Sequence, residues 1–357
     1  MTTTTKWMFL AALMVAFVFI AACDRTVTYV EENPAPANCF SCHSDVNTAL
    51  ARAEGQWMNS VHASGAHVYE NSSTCSRCHT SEGFIRRVNG ESAIEIENPT
   101  AIHCFTCHAP HTNGNLSLRV TAPQSLQNGE SYDLKAANIC TACHQSRRNV
   151  NTYVALDTVS MTMRFGPHYG VQGDMIIGTN GYEYEGFEYE QTLHKSATEQ
   201  GCLDCHFKNP NSYFLGGHSF NMAYEGEAGE TFNTLACEEC HADMEGAPDF
   251  NRDNVQTDVE AMIEELETLL INANLLAYYA EEDAWLAPER DVLSRSEPGD
   301  SAGALWNYFV AKYDRSEGIH NPDYIKGLLE SALEFMQPVA SPAAPSVAAG
   351  GGQKTAH

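Results

Sequence analysis

Six times along this chain two cysteines stand three positions apart with a histidine directly after the second: Cys39-Cys42-His43, Cys75-Cys78-His79, Cys104-Cys107-His108, Cys140-Cys143-His144, Cys202-Cys205-His206 and Cys237-Cys240-His241. A pair of cysteines at this spacing can be half of a tetrahedral zinc site, a redox dithiol or the thioether attachment of haem c. Zinc does not require a histidine directly after the second cysteine. Here it follows every time, and with histidine at a background of a few per cent, coincidence stands at roughly one in ten million. Thioether attachment supplies the reason: two thiols bond to two vinyl positions of a porphyrin, and the adjacent histidine coordinates the iron as proximal ligand. Six covalently bound haem c groups are expected, with Cys39, Cys42, Cys75, Cys78, Cys104, Cys107, Cys140, Cys143, Cys202, Cys205, Cys237 and Cys240 as attachment points. His43, His79, His108, His144, His206 and His241 are the proximal ligands.

Each iron has a second axial face. The chain has 15 histidines, and after the proximal set and His357, which ends a low-complexity tail, eight remain for six positions. Context favours His62 in WMNSVHASG, His111 in CHAPH, His168 in RFGPHYG, His194 in QTLHKSATEQ, His218 in LGGHSF and His320 ahead of a helix. His67 and His103 are further candidates. Alternatives for any one of them are a propionate contact or a satisfied core position, and a methionine such as Met58, Met175 or Met222 could replace one. Six-coordinate iron has no vacant site for substrate, so a full bis-histidine set points to electron transfer and away from catalysis.

The haems must supply much of the apolar core, because residues 38–250 are mostly turn residues, short polar runs and haem motifs without strand alternation. The segment Met161–Glu190, rich in glycine and tyrosine, suits a loop laid over porphyrin faces or a plain surface loop with aromatic anchors. Beyond Asp249 the texture changes to helical periodicity. Thr257 and Glu260 read as a capping box opening a helix over about 258–280. A second helix is expected near 301–313. A third should start at Asn321-Pro322, bury Ile325, Leu328, Leu329 and Phe335, and stop at Pro338. The expected class is therefore mainly α, with little regular secondary structure around a haem core and a C-terminal helical segment at 251–337 packed on that core. Residues 338–357 read as a disordered tail.

The first residues carry Lys6 and then an apolar run from Trp7 to Ile20, the length of a signal-peptide core and short for a bilayer span. It ends in Ile20-Ala21-Ala22-Cys23, which resembles a bacterial lipobox. Of 13 cysteines only Cys23 falls outside the motifs, which fits a lipidated residue better than a stray thiol. The expectation is a lipoprotein signal peptide over 1–22, a linker over 23–37 running from lipidated Cys23, and export to the periplasmic face or cell surface, the outer membrane in particular. An ordinary signal peptide cut near Ala22 is the alternative. With 46 acidic against 20 basic residues, the chain repels phosphate backbones, so nucleic acid is excluded as a partner.

With these residues in hand the chain resembles the multihaem cytochrome superfamily that contains pentahaem nitrite reductase, hydroxylamine oxidoreductase and the octahaem tetrathionate reductases. CFSCH…QWMNSVHASG…CSRCH resembles the paired-haem module of that group, where the histidine matching His62 is a distal ligand. LHKSATEQGCLDCH…GGHSF…NTLACEECH resembles the nitrite reductase arrangement, which implies that His194 and His218 ligate neighbouring haems. ALWNYFVAKYDRSEGIHNPDYIKGLLESALEFM resembles that family's C-terminal helices, which implies that His320 reaches back to an iron. The chain departs where the chemistry is done: the usual catalytic motif of those reductases ends in lysine, and all six here end in histidine. Their calcium-bound tyrosine and Lys-x-Gln-His segment have no clear counterpart, since QSRRNV follows His144.

Arg147 and Arg148 read as salt-bridge partners of haem propionates, with substrate-binding cations as the alternative. The first expectation for function is a carrier moving electrons through closely stacked bis-histidine haems between a periplasmic or membrane donor and an outer-membrane or extracellular acceptor, with redox proteins as partners. The second is a reductase of a small oxyanion or of a nitrogen or sulfur compound, with one five-coordinate haem. A third is a homo-oligomer or filament of such subunits.

Overall fold

The computed structural model describes residues 47–113, 115–154, 158–208, 212–227, 229–294 and 301–340. Cys23, Cys39, Cys42, His43 and nearly all of the expected tail lie outside the described residues, as do the signal and linker segments.

The two halves of the described chain are held together differently. From Asn47 to Met244 the elements are short helices of one to three turns, two of the two-stranded pairings and one strand of a third, joined by irregular backbone. Side-chain cores here are small: Phe84, Val120, Ile139 and Ala142 form one around the motif cysteines 107, 140 and 143, and Leu126, Tyr132, Ala137 and Ile177 form another beside Cys202. Sheet structure among the described residues is limited to four antiparallel two-stranded pairs, so the class is mainly α.

The large core lies in the C-terminal half. Three helices, Val255–Asn272, Ser301–Asp314 and Pro322–Ala340, pack together and bury Leu266, Leu270, Leu305, Trp306, Tyr308, Phe309, Ile325 and Leu328 completely or nearly so. The central helix is buried on every side, which its uniformly apolar run ALWNYFVA requires.

This core also takes in residues the sequence reading assigned to the haem region. Met161, Phe165, Met175, Tyr182 and Tyr184 are buried in it. Asn307 receives the Tyr182 amide at 2.7 Å and donates to the Tyr182 and Leu328 carbonyls, Tyr324 Oη accepts the Gly181 amide at 3.1 Å, and Tyr184 stacks on Phe335 with ring centres 4.2 Å apart. The glycine- and tyrosine-rich segment 161–190 is thus a strap over the C-terminal helices. Its tyrosines give each ring an apolar body to bury and a hydroxyl to satisfy.

The helix boundaries shift from expectation. The first helix starts at Val255, and Asn254 precedes it in the left-handed region at φ 60° with no side-chain cap; Thr257 instead donates its amide to Asn251 Oδ1 at 3.2 Å. That helix ends at Asn272, and the chain turns into a hairpin pairing Ala277–Tyr279 with Ala284–Leu286. The third helix begins at Pro322 with Asn321 accepting the Tyr324 amide, as the Asn-Pro signal demands, and it runs through Pro338 to Ala340. Among the described residues no helix is long and apolar enough to cross a membrane.

Candidate haem sites

The five described motifs share one local geometry. Each sits on a single helical turn or at its start: Ser76–His79 with Cys75 before it, Cys104–Cys107, Asn138–Thr141, Cys202–His206 and Leu235–Glu238. In four of them the histidine amide closes the turn onto the first cysteine carbonyl: His79 to Cys75 at 3.2 Å, His108 to Cys104 at 2.9 Å, His144 to Cys140 at 2.9 Å and His241 to Cys237 at 2.8 Å. One turn places residues three apart on the same face and the next residue beside them, so two sulfurs and one imidazole address a single object.

That geometry discriminates between chemistries. The ten described motif cysteines are all free thiols. Among the described residues no three His, Cys, Asp or Glu side chains converge as a metal cage, which is what a zinc site would require. Burial pushes the Cys107 thiol up to about 11 and the Cys205 thiol up to about 12, the reverse of what a reactive redox dithiol needs. Cys78 and Cys202 are lowered because each receives a hydrogen bond from a thiol of another motif, Cys143 and Cys140 respectively.

Each described motif histidine has a second imidazole near it. Ring centres are 6.2 Å apart for His79 and His168, 6.4 Å for His108 and His218, 6.1 Å for His144 and His62, 6.3 Å for His206 and His320, and 6.3 Å for His241 and His194. An imidazole nitrogen binds a transition metal at about 2.0–2.1 Å and lies about 1.1 Å from its ring centre, so two rings on opposite faces of one metal have centres about 6.2 Å apart. The interplanar angles vary from 35° to 78°, which costs nothing because each ring turns about its own metal–nitrogen axis. The five pairs, all between 6.1 and 6.4 Å, fit the separation that two imidazoles binding one metal from opposite sides would have.

Hydrogen bonding orients these rings. Nδ1 of His108 meets the Leu116 carbonyl at 2.6 Å, Nδ1 of His144 meets Gln172 Oε1 at 3.1 Å and Nδ1 of His206 meets the Phe220 carbonyl at 2.8 Å. An acceptor at Nδ1 fixes the proton there and leaves Nε2 as a lone pair for metal. Burial lowers His62, His168 and His206 to about 4 and lowers His79 and His218 as well, so these rings are neutral, the ligating form. His320 is the exception. Burial pulls it down, but Asp314, with Oδ1 at 2.7 Å from Nδ1, outweighs burial and holds it above its ordinary value.

The surroundings fit a large apolar group that carries carboxylates. Val61 beside His62 is 79% exposed and Leu193 beside His194 is 75% exposed, and Phe105, Tyr169 and Leu235, each next to a motif or candidate histidine, are exposed too. The indole N–H of Trp57 is buried with no acceptor among the described residues, and a propionate would satisfy it.

His218 shows how the local sequence builds a site. Gly216 and Gly217 both have positive φ, and a Cβ on Gly217 would lie 2.4 Å from Gln56 Oε1, the atom that accepts the His218 amide at 3.1 Å. The pair of glycines lets the backbone pass against Gln56 and present His218.

The remaining candidates are placed elsewhere. His103 caps the Cys104–Cys107 turn, accepting the Phe105 amide at Nδ1 while its own amide goes to Thr106 Oγ1; a ring committed to capping is not aimed at an iron. His67 lies 5.8 Å from His79, a second imidazole on that ring. His111 packs on Phe105 at 5.3 Å. Arg148 donates through Nη1 to the Arg164 and Gly166 carbonyls and to Tyr153 Oη, with its guanidinium 4.2 Å from the Tyr153 ring centre. Arg147 donates to the Thr74 carbonyl and adds its positive charge near His79 and His168. The acceptors Leu116, Phe220, Gln172 and Asp314 have no sequence motif; only Asp314, six positions before a candidate histidine, leaves a faint signal.

The motifs also approach one another. Cys78 and Cys143 are within hydrogen-bonding reach, as are Cys140 and Cys202, and Cys205 feels Cys237. The second and fourth, fourth and fifth, and fifth and sixth motifs are therefore neighbours in space, and Cys107 places the third motif beside the fourth.

No family model matches the chain. Over 331 residues it is 22% identical to a C-type polyheme cytochrome, OmcC, of Geobacter sulfurreducens, covering 73% of this chain and 42% of that protein, so the chain spans less than half of this relative's length. Among solved structures it is similar to the outer cell wall cytochrome OcwA at a TM-score of 0.48 and 18% identity, covering 79% of this chain and 50% of that one. It is also similar to an undecaheme cytochrome from the S-layer of Carboxydothermus ferrireducens at a TM-score of 0.40 and 17% identity, covering 75% and 38%. The proteins it is similar to are cytochromes, and two of the three are named for carrying many haems.

Proposed function

We propose that this chain is a hexahaem c-type cytochrome whose irons are all bis-histidine ligated and which carries electrons, without turning over a substrate of its own. The observation that carries the reading is the set of five imidazole pairs at 6.1 to 6.4 Å, each with one member from a Cys-x-x-Cys-His motif. In this reading Cys75, Cys78, Cys104, Cys107, Cys140, Cys143, Cys202, Cys205, Cys237 and Cys240 hold five haems. Their axial pairs are His79–His168, His108–His218, His144–His62, His206–His320 and His241–His194. Cys39, Cys42 and His43 hold the sixth, and its second ligand is a further histidine of the chain.

The haem supplies a one-electron iron couple when bound; the chain supplies the neutral imidazoles, their orienting acceptors and the dry contacts between motifs. Strong-field ligation on both faces leaves no position for a small oxyanion. Electrons would pass from the second motif to the fourth, fifth and sixth along the approaches of Cys78 to Cys143, Cys140 to Cys202 and Cys205 to Cys237, with the third joining at the fourth. Residues 1–22 as signal peptide and a lipid on Cys23 would hold the protein at the outer membrane, between a periplasmic or membrane donor and an acceptor at or beyond the surface.

Spectroscopy of the purified oxidised protein tests this. Six haems per chain, wholly low-spin and unperturbed by cyanide or nitrite, are expected. A high-spin signal from one iron in six would replace the carrier with a reductase.

A further inference from the structure

We propose that Asp314 sets the potential of one particular centre: hydrogen-bonded to His320, its carboxylate makes the iron held between His206 and His320 the hardest of the set to reduce. The inference rests on the bis-histidine reading above and deepens it.

Among the ligand hydrogen bonds described, the acceptors at His108, His144 and His206 are neutral, two carbonyls and a glutamine amide. His320 alone is paired with a carboxylate, at 2.7 Å from Nδ1 to Oδ1. Both carboxylate oxygens of Asp314 receive donors, Oδ1 from His320 and Oδ2 from the Ser316 hydroxyl, so the group is an acceptor on both sides, as an ionised carboxylate is. Asp314 is 3% exposed, and a charge in such a site is weakly screened. It also closes the helix Ser301–Asp314, whose carbonyl end adds negative potential there.

A carboxylate drawing on the Nδ1 proton gives the ring imidazolate character and raises its basicity as a ligand. A more basic ligand and an added negative charge both favour Fe(III) over Fe(II), which lowers the potential of that one-electron couple. The fifth motif lies between the fourth, through Cys140 and Cys202, and the sixth, through Cys205 and Cys237. The centre with the most negative potential would then stand inside the file, as an uphill step that electrons cross between better-populated neighbours.

The test is a spectroelectrochemical titration of the purified, haem-loaded full chain, with haem content and low-spin ferric spectra recorded on the same samples. In Asp314→Asn the most negative component is expected to move up by at least a tenfold gain in its reduced-to-oxidised ratio at fixed potential, 59 mV for a one-electron couple, with the other components in place. An unchanged titration in a fully loaded, wholly low-spin variant overturns the inference. Should Asp314→Asn lose low-spin iron, Ser316→Ala decides: it keeps the carboxylate and removes the hydroxyl that donates to Asp314 Oδ2 and accepts the His320 amide, so with the iron still low-spin the same component must move in the negative direction, and immobility overturns the proposal. A wild-type protein short of six haems or partly high-spin sinks the bis-histidine reading instead.

Discussion

The imidazoles of His62 and His144 lie with ring centres 6.1 Å apart and their planes at 71°, although His62 belongs to a 3-10 turn near the start of the described chain and His144 closes the fourth motif. Nδ1 of His144 is tied to Gln172, so the ring is held ready for a metal on its other nitrogen. Truncation to His62→Ala is expected to leave all six haems covalently attached and to convert one iron in six from low-spin to high-spin. Electron paramagnetic resonance on the oxidised protein reads the change directly, and an all-low-spin spectrum would assign His62 to another task.

The fourth motif is central, because Cys143 reaches Cys78 and Cys140 reaches Cys202. The double change Cys140→Ala, Cys143→Ala should therefore cost more than its own haem, reducing the yield of folded, loaded protein several-fold. The matching change at Cys237 and Cys240, where Cys240 is exposed, should lose one haem by intact mass and spare the rest. Equal losses from both would show that the motifs fold independently.

Presentation of His218 depends on a backbone that only glycine permits. Gly217→Ala puts a Cβ into Gln56 at a positive φ and is expected to give a high-spin fraction at the third motif, with stability lowered by about 1–3 kcal/mol. A normal low-spin spectrum would mean that Gln56 yields instead.

The C-terminal core is a conventional one, so its energetics should be conventional too. Trp306 is 0% exposed and its indole N–H donates to the Asn180 carbonyl at 2.8 Å. Trp306→Ala should destabilise by about 3–5 kcal/mol, measured by denaturant titration of the loaded protein. Glu289→Gln, on the surface outside that core, should change stability by less than about 0.5 kcal/mol.

Asp174 links pH to stability. Burial raises its carboxyl to about 7, against the hydrogen bonds it receives from the Ser146 amide and Asn180. A carboxyl raised on folding binds its proton more tightly in the folded state, so its contribution favours folding at low pH and fades as pH climbs from about 4 to 7, at up to about 1.4 kcal/mol per pH unit. Comparing stability at pH 5 and pH 7.5 in wild type and Asp174→Asn checks the sign. The variant should lose this slope while sitting lower at pH 5, because the amide cannot accept both donors.

The motifs were legible from sequence alone because thioether attachment is local chemistry: two sulfurs and an imidazole must come from one turn of chain, and that spacing is written in consecutive residues. The C-terminal helices were legible for the same reason, since the apolar spacing of Ile325, Leu328 and Leu329 and the Asn321-Pro322 start are local signals. Histidine counting put the ligand candidates on the page, but pairing them needed the fold. Which imidazole stands near His144 or His206, and why the tyrosine-rich strap lies on the C-terminal helices, are outcomes of long-range packing. Asp314 belongs to that second group. Its six-residue spacing from His320 is only a faint signal, and its carboxylate gains meaning where the end of one helix and the turn before the next bring it to that ring.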